Sequence, residues 1–249
     1  MEDVRSPLTG KTALVTGAAK RIGRVIALTL ARNGAHVVVH YHQSAQEALE
    51  LCSEIQRLGV SAWPVPGDLM DAQQAEKILP DAVAKAGPID ILVNNGSIFE
   101  KDTLWEATEE SIGKNVRIHA VAPLILARQL ARQERAAHIV NLLDTRVAVY
   151  DREHASYDLS KSMLLTLTRM LALELAPKVA VNAIAPGSIL PPPGQGQAYM
   201  AKLTYTNPLN RIGDPEEIAE TVLYLVRSRF VTGQIVYVDG GMHLKGHLY

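Results

Sequence analysis

Tyr157 and Lys161 stand four residues apart in the segment Ala155-Ser-Tyr-Asp-Leu-Ser-Lys-Ser-Met-Leu-Leu. Asp144 lies thirteen residues before the tyrosine, just after the apolar run His138-Ile-Val-Asn-Leu-Leu. A helix over 155–176 would put positions i and i+4 on one face, so phenol and ammonium point the same way. An ammonium beside a phenol favours the phenolate and brings a weak acid nearer to working pH. The aspartate narrows the chemistry. When hydride reaches a carbonyl, negative charge develops on the oxygen, and an ionised Asp144 would oppose it. A C=N bond must instead gain a proton at nitrogen, and a protonated imine is cationic. A carboxylate can stabilise that cation or, when protonated, supply the proton. Arg146 follows closely enough to pair with Asp144; the alternative for Asp144 is a solvated loop carboxylate.

A second group lies near the start of the chain. An apolar run leads into Thr16-Gly-Ala-Ala-Lys-Arg-Ile-Gly23 and then a helical pattern. Strand, glycine turn and helix let backbone approach a pyrophosphate and set it on a helix N-terminus. Gly17 and Gly23 suit that purpose, Arg21 stands where a middle glycine is common, and Lys20 and Arg21 add positive charge. The next strand ends in His40-Tyr-His-Gln-Ser44 without the acid that would bind a ribose 2′-hydroxyl. Arg21, His40 or His42, and Ser44 could instead hold a 2′-phosphate, so the cofactor expected is NADPH. Ser44-Ala-Gln-Glu47 also reads as a capping box. Asp68 could lie near adenine or simply start a turn. Asn94-Asn-Gly-Ser-Ile-Phe99 would bring small and amide residues beside the cofactor. Phe99 is either a platform for a flat ring or a core aromatic.

These residues need a frame that gathers them. Strands are expected at 12–16, 36–40, 62–65, 89–93, 138–142, 180–184 and 235–238. Helices are expected at 21–33, 44–58, 71–85, 108–133, 155–176 and 215–227. Gly34, Gly59 and Gly87 each follow a helix, where a left-handed cap wants glycine. Alternating strands and helices imply a parallel sheet covered on both faces. The irregular stretch from Pro186 to about Gly213, with its Pro191-Pro-Pro-Gly run, is read as a substrate lid; a plain connector is the competing reading.

Composition sets the outer limits. The chain has 249 residues, 47% hydrophobic and 20% charged, enough for one large domain with a sizeable core. A net charge of −1 gives no basic surface for nucleic acid or anionic lipid. Cys52 is the only cysteine, which suits a reducing compartment. No apolar run spans a bilayer, the polar N-terminus carries no signal-peptide core, and a cytoplasmic protein without a metal site is expected.

Taken in order, the 16–23 turn, Asp68, Asn94-Asn95-Gly96, Asn115, Tyr157-x3-Lys161, Pro186-Gly187 and Val238-Asp-Gly-Gly241 resemble the classical short-chain dehydrogenase/reductases. The resemblance spans essentially the whole chain. It implies an α/β fold: a single-domain, Rossmann-type, doubly wound parallel sheet of about seven strands with helices on both faces, covering 1–249. It further implies a nicotinamide cofactor and a homotetramer. Tyr157 would donate the proton, Lys161 would bind the nicotinamide ribose and lower the tyrosine pKa, and Asn115 would order a relay water. The Gly17, Ile22, Gly23, Asn95, Gly96, Pro186 and Gly187 positions would surround the cofactor.

Within that family, Lys20-Arg21, His40-Tyr-His-x-Ser44, Ser97 with Phe99, and Asp144 in the usual serine position resemble the pteridine reductases. That branch implies NADPH held by arginine, histidine and serine, a pterin-like substrate contacted by Ser97 and stacked on Phe99, and an Asp144–Tyr157 catalytic pair. Gln43 replaces a phosphate-binding arginine, and the lid sequence differs from that branch. The rival expectations are a general carbonyl reductase acting on 3-oxoacyl or similar ketones, and a non-catalytic NADP(H)-binding relative.

Overall fold

The computed structural model describes residues 6–192 and 194–245. The first five residues of the polar start and Pro193 of the proline run lie outside the described residues.

Seven strands form one sheet: β1 (Thr12–Val15), β2 (His36–Tyr41), β3 (Ala62–Pro66), β4 (Ile91–Asn94), β5 (Ala137–Leu142), β6 (Val179–Pro186) and β7 (Ile235–Val238). Their order is β3-β2-β1-β4-β5-β6-β7, and every pairing is parallel. The strands read as continuous β-branched and apolar runs because both faces are covered. Ala13, Val15, Val37, Val39 and Val93 pack beneath α1 (Arg21–Arg32), α2 (Ala45–Arg57) and α8 (Pro215–Arg227). Leu14, Val38, Leu92 and Ile139 pack on the other face, beneath α3 (Ala72–Ala86), α5 (Ala122–Ala131) and α6 (Ala155–Glu174). The doubly wound expectation therefore stands. Gly34, Gly59 and Gly87 all have positive φ, as their positions after helices require.

Strand order reverses at β1, whose neighbours are β2 and β4. Crevices of this kind lie outside the carboxyl ends of the strands. The candidate residues fall there, after β1 (Gly17), β4 (Asn95 to Phe99), β5 (Asp144) and β6 (Gly187).

Three elements differ from the sequence pattern. The expected 108–133 helix is two α-helices, α4 (Glu109–Val116) and α5, joined by a π-helical turn over Arg117–Val121. The cause is Pro123: it has no N–H, and its ring crowds the carbonyl of residue 119. The N–H of Ala122 bonds Arg117 five residues back. Asn115 and His119 flank and occupy that break. The connection from 187 to 214 is not irregular throughout, since it holds a short helix, α7 (Gln197–Ala201), and a 3₁₀ turn at Thr204–Thr206. Finally, Ser44 begins α2, but its side chain makes no capping bond, and the capping box does not form; Glu47 instead pairs with Lys20 at 2.6 Å. Among the described residues, no helix is long and apolar enough to cross a membrane.

Candidate active site

β5 delivers the chain to Asp144, which opens a 3₁₀ turn at Thr145–Val147; its Oδ1 accepts the backbone N–H of Arg146 at 2.9 Å. The first turn of α6 brings Tyr157 to meet it, and the phenol donates to Asp144 Oδ2 at 3.1 Å. One turn further along α6, Lys161 donates to the Leu142 carbonyl at 2.7 Å, and its Nζ lies 5.4 Å from the centre of the Tyr157 ring. The three residues therefore converge. Arg146 joins them, with Nη1 3.3 Å from each Asp144 oxygen and Nε 2.8 Å from Asp151 Oδ2. The pairing left open by sequence is formed.

Phe99 is 41% exposed and belongs to this group rather than to the core. Its ring stacks on His154 at 4.2 Å and 14°, meets Tyr157 edge-on at 4.8 Å, and has the Arg146 guanidinium carbon 5.1 Å from its centre. His154 Nδ1 binds the same Asp151 oxygen as Arg146, at 2.7 Å. A cleft of about 270 Å³ is lined by Phe99, Asp144, Arg146, Tyr157 and Lys161 and bordered on its far side by Leu190, Tyr199, Met200 and Leu203.

The electrostatics correct one expectation. The Tyr157 phenol, expected to be lowered by Lys161, stands above its ordinary value instead. Burial, then the Asp144 charge, push the Tyr157 phenol well above its ordinary value, with Arg146 opposing. Burial lowers Lys161 to about 8 against the pull of Asp144. Burial also works against the Arg146 cation, but Asp144 and Asp151 hold its pKa above the usual arginine value. Asp151 is more open to solvent, and although partial desolvation works the other way, bonds from Arg146, the Glu153 N–H and His154 bring it down to about 2. The result is a protonated phenol facing a carboxylate that accepts from three directions.

Asn115 is buried at the break between α4 and α5, where its Nδ2 donates to the Ser111 carbonyl at 3.0 Å. Ser97 lies beside His119, with its hydroxyl 2.8 Å from His119 Nε2, and the imidazole meets Tyr157 edge-on at 5.2 Å. Burial and Lys161 keep His119 well below the ordinary histidine value, so the ring is neutral.

At the glycine turn, Gly17 has φ +60° and Arg21 φ +56°. Arg21 holds the left-handed position a middle glycine would take, at a cost of roughly 1–2 kcal/mol. Its Nη2 reaches across to the Pro191 carbonyl at 2.8 Å. Ile22 borders the cleft, and Gly23 packs tightly against the turn, its position abutting the Gly17 carbonyl and the Asn95 amide. His40 is corrected from phosphate ligand to brace. It is 1% exposed, its Nδ1 accepts the Gly17 N–H at 3.2 Å, and its Nε2 donates to the Gly67 carbonyl at 3.1 Å. Burial lowers its pKa to about 4. Asn95 is likewise a brace, donating to Thr16 and Gly17 carbonyls at 2.9 and 3.2 Å, while Thr16 Oγ1 accepts the N–H groups of Asn95 and Gly96. Lys20 is turned to Glu47. His42 and Ser44 remain at the rim, with His42 Nε2 3.8 Å from Asp68; Asp68 itself holds the Met70 N–H at 2.9 Å. At the end of β6, Pro186 and Gly187 border the cleft, and a Cβ on Gly187 would come within 2.7 Å of Asp239 Cα.

Sequence reasoning overlooked His119, Asp151 and His154. Their only signals were spacing: His119 four residues after Asn115, His154 three before Tyr157, and Asp151 three before that.

Comparison with known proteins agrees with this architecture. The family model described as enoyl-(acyl carrier protein) reductase matches residues 17–243. The 3-oxoacyl-(acyl-carrier-protein) reductase FabG of Staphylococcus aureus (strain Mu50 / ATCC 700699) is 33% identical over 248 residues, covering 94% of this chain and 98% of the relative. Among solved structures, FolM alternative dihydrofolate reductase 1 from Brucella suis in complex with NADP is 34% identical, covers 95% of this chain and 96% of that one, and superposes with a TM-score of 0.91. The angucycline C-6 ketoreductase LanV with bound NADP is 28% identical, covers 96% and 98%, and has a TM-score of 0.89. With the parallel sheet, the glycine turn and the Tyr157–Lys161 pair in place, the chain belongs to the classical short-chain dehydrogenase/reductase family.

Proposed function

We propose that this oxidoreductase uses NADPH to reduce a C=N bond in a flat, pterin-like ring. The observation that carries the reading is the Tyr157–Asp144 hydrogen bond beneath an exposed Phe99. A carboxylate paired with the proton donor disfavours a developing oxyanion and favours a nitrogen that is gaining positive charge.

The residues at the turn fit the cofactor. Arg21, His42 and Ser44 form a rim with no acid at the end of β2, a donor set suited to a 2′-phosphate. His40, Asn95 and Thr16 fix the turn beneath it. Lys161 and the Pro186–Gly187 corner border the cleft where the nicotinamide ribose would lie. The bound cofactor supplies a hydride. The chain supplies the rest: Tyr157 gives its proton to the ring nitrogen, Asp144 offsets the positive charge arising there, and Lys161 offsets the phenolate left behind. Asn115 Oδ1, buried and without a donor among the described residues, is placed to hold a water that returns the proton.

The 187–214 connection acts as a lid, linked to the cofactor turn through the Arg21–Pro191 bond and offering an apolar wall to the substrate. The chain works as a homotetramer. Leu159, Met163, Met170 and Leu173 form an exposed stripe along α6 that supports self-association.

The second reading is a 3-oxoacyl reductase, favoured by the likeness to FabG. NADPH oxidation followed in parallel with 7,8-dihydrobiopterin and a 3-oxoacyl thioester separates the two. Turnover of the dihydropterin is expected; turnover of the thioester alone rejects the pterin reading.

A further inference from the structure

Arg146 touches both Asp144 and Phe99, two residues that line the substrate cleft. Its Nη1 spans both Asp144 oxygens, its Nε binds Asp151, and its guanidinium carbon stands 5.1 Å from the Phe99 centroid. Asp151 in turn holds His154, on which Phe99 lies flat. The contacts of Arg146, Asp151, His154 and Phe99 close into a ring, and Asp144 is joined to it through Arg146.

We propose that Arg146 is a positioning residue that sets two walls of the substrate slot at once. It holds the Asp144 carboxylate in line for the Tyr157 hydroxyl, and through Asp151 and His154 it sets the plane of Phe99. This rests on Asp144 and Phe99 facing the substrate, as proposed above.

Three features support the assignment. First, Asp144 sits at the mouth of a short 3₁₀ turn, and among the described residues only the Arg146 backbone and the Tyr157 hydroxyl fix it otherwise. Second, Phe99 is half-exposed, so its orientation depends on what it leans against rather than on core packing. Third, carboxylates gather around Arg146, with Asp144 in the cleft and Asp151 and Asp158 in the hollow beside it. Asp144 and Asp151 both turn toward Arg146, and Asp158 lies close enough that burial and the Asp151 charge raise it to about 7. One guanidinium balances this group, and its rigid fork is what lets it reach two carboxylates at fixed angles. A lysine ammonium is a point charge and would serve one of them.

The test uses the full-length protein as Arg146→Met, Arg146→Lys, Asp151→Asn and the Arg146→Met/Asp151→Asn double variant. NADPH binding is titrated by fluorescence, and steady-state kinetics are measured with 7,8-dihydrobiopterin and with a 3-oxoacyl thioester. Arg146→Met should lower kcat/KM about 100-fold, the scale on which misplaced reacting groups cost rate, while NADPH affinity changes less than about threefold. Arg146→Lys should recover about tenfold of kcat but none of the KM loss, because the charge beside Asp144 returns while the bridge to Asp151 does not. Asp151→Asn should raise KM about tenfold with kcat little changed, and the double variant should be no worse than Arg146→Met.

Arg146→Met retaining kcat/KM within about threefold, or an Asp151→Asn effect that simply adds to it, would overturn the proposal. If Arg146→Met fails to bind NADPH, the kcat-against-KM split in Arg146→Lys and Asp151→Asn decides: a split supports the proposal, and equal changes in both overturn it. A wild type that reduces only the thioester removes the pterin reading, and the same variants then judge Arg146 on the thioester by the same criteria.

Discussion

The two ends of the cleft are built from different forces. At the glycine turn, the fixing bonds are neutral: His40 between the Gly17 N–H and the Gly67 carbonyl, Asn95 on the Thr16 and Gly17 carbonyls, and the Thr16 hydroxyl under two backbone amides. At the Asp144 end, an ion pair, a second carboxylate and a buried phenol hold one another in place. The cofactor end is thus a rigid backbone seat that charge variants elsewhere should barely disturb. At the substrate end, each charged group shifts its neighbours, so single changes there should be strongly non-additive.

The sharpest way to break this contrast is Tyr157→Phe. It removes the proton donor and nothing from the turn, so kcat should fall by about 10²–10⁴ while NADPH affinity is preserved; weakened NADPH binding in a fluorescence titration would show that the two ends are not separate. Next comes Asp144→Ser, which exchanges the carboxylate for a hydroxyl that can stabilise an oxyanion. The ratio of ketone to pterin turnover should rise by about tenfold or more, and an unchanged ratio would count against the charge argument.

His40→Gln probes the other end. Native His40 resists protonation down to about pH 4, whereas the unfolded chain takes up a proton near 6.5. Its contribution to stability is therefore complete above pH 6.5 and disappears as the pH falls towards 4, worth at most about 3 kcal/mol. His119 and His138 are also lowered and titrate in the same sense, so the difference between wild-type and His40→Gln melting curves isolates this residue. The variant should lose less stability on acidification; parallel Tm-against-pH curves would contradict the assignment. The smallest effect belongs to Asp158→Asn. Burial and Asp151 raise this carboxyl to about 7, so its ionisation costs stability as pH climbs from the ordinary carboxylate range through 7. Asp158→Asn should melt higher than wild type at pH 8 and gain nothing at pH 4.

The parallel sheet was legible because its strands are apolar on both faces and are separated by helices of regular period. The π-helical turn was not, since the residues before Pro123 carry an unbroken helical pattern and only the proline marks the break. At the site, Tyr157 and Lys161 were readable as an i, i+4 pair. His40 misled for a physical reason. A histidine at a strand end looks like a ligand for phosphate, and only burial showed both of its nitrogens turned inward to the turn.

By itself, the sequence determined the strand and helix alternation, the glycine turn, the missing acid after β2 and the presence of an aspartate where a hydroxyl would suit ketones. Those follow from residue type and short-range spacing. Tertiary structure decided which charges meet. Arg146, Asp151, His154 and Phe99 are scattered over more than fifty positions, and they converge because a loop after β4 and the segment before α6 close over the same strand edge. It also settled the state of Tyr157. A neighbouring lysine argues for a lowered phenol, but burial and a facing carboxylate outweigh it, because desolvation penalises the phenolate more than a cation 5.4 Å from the ring can repay.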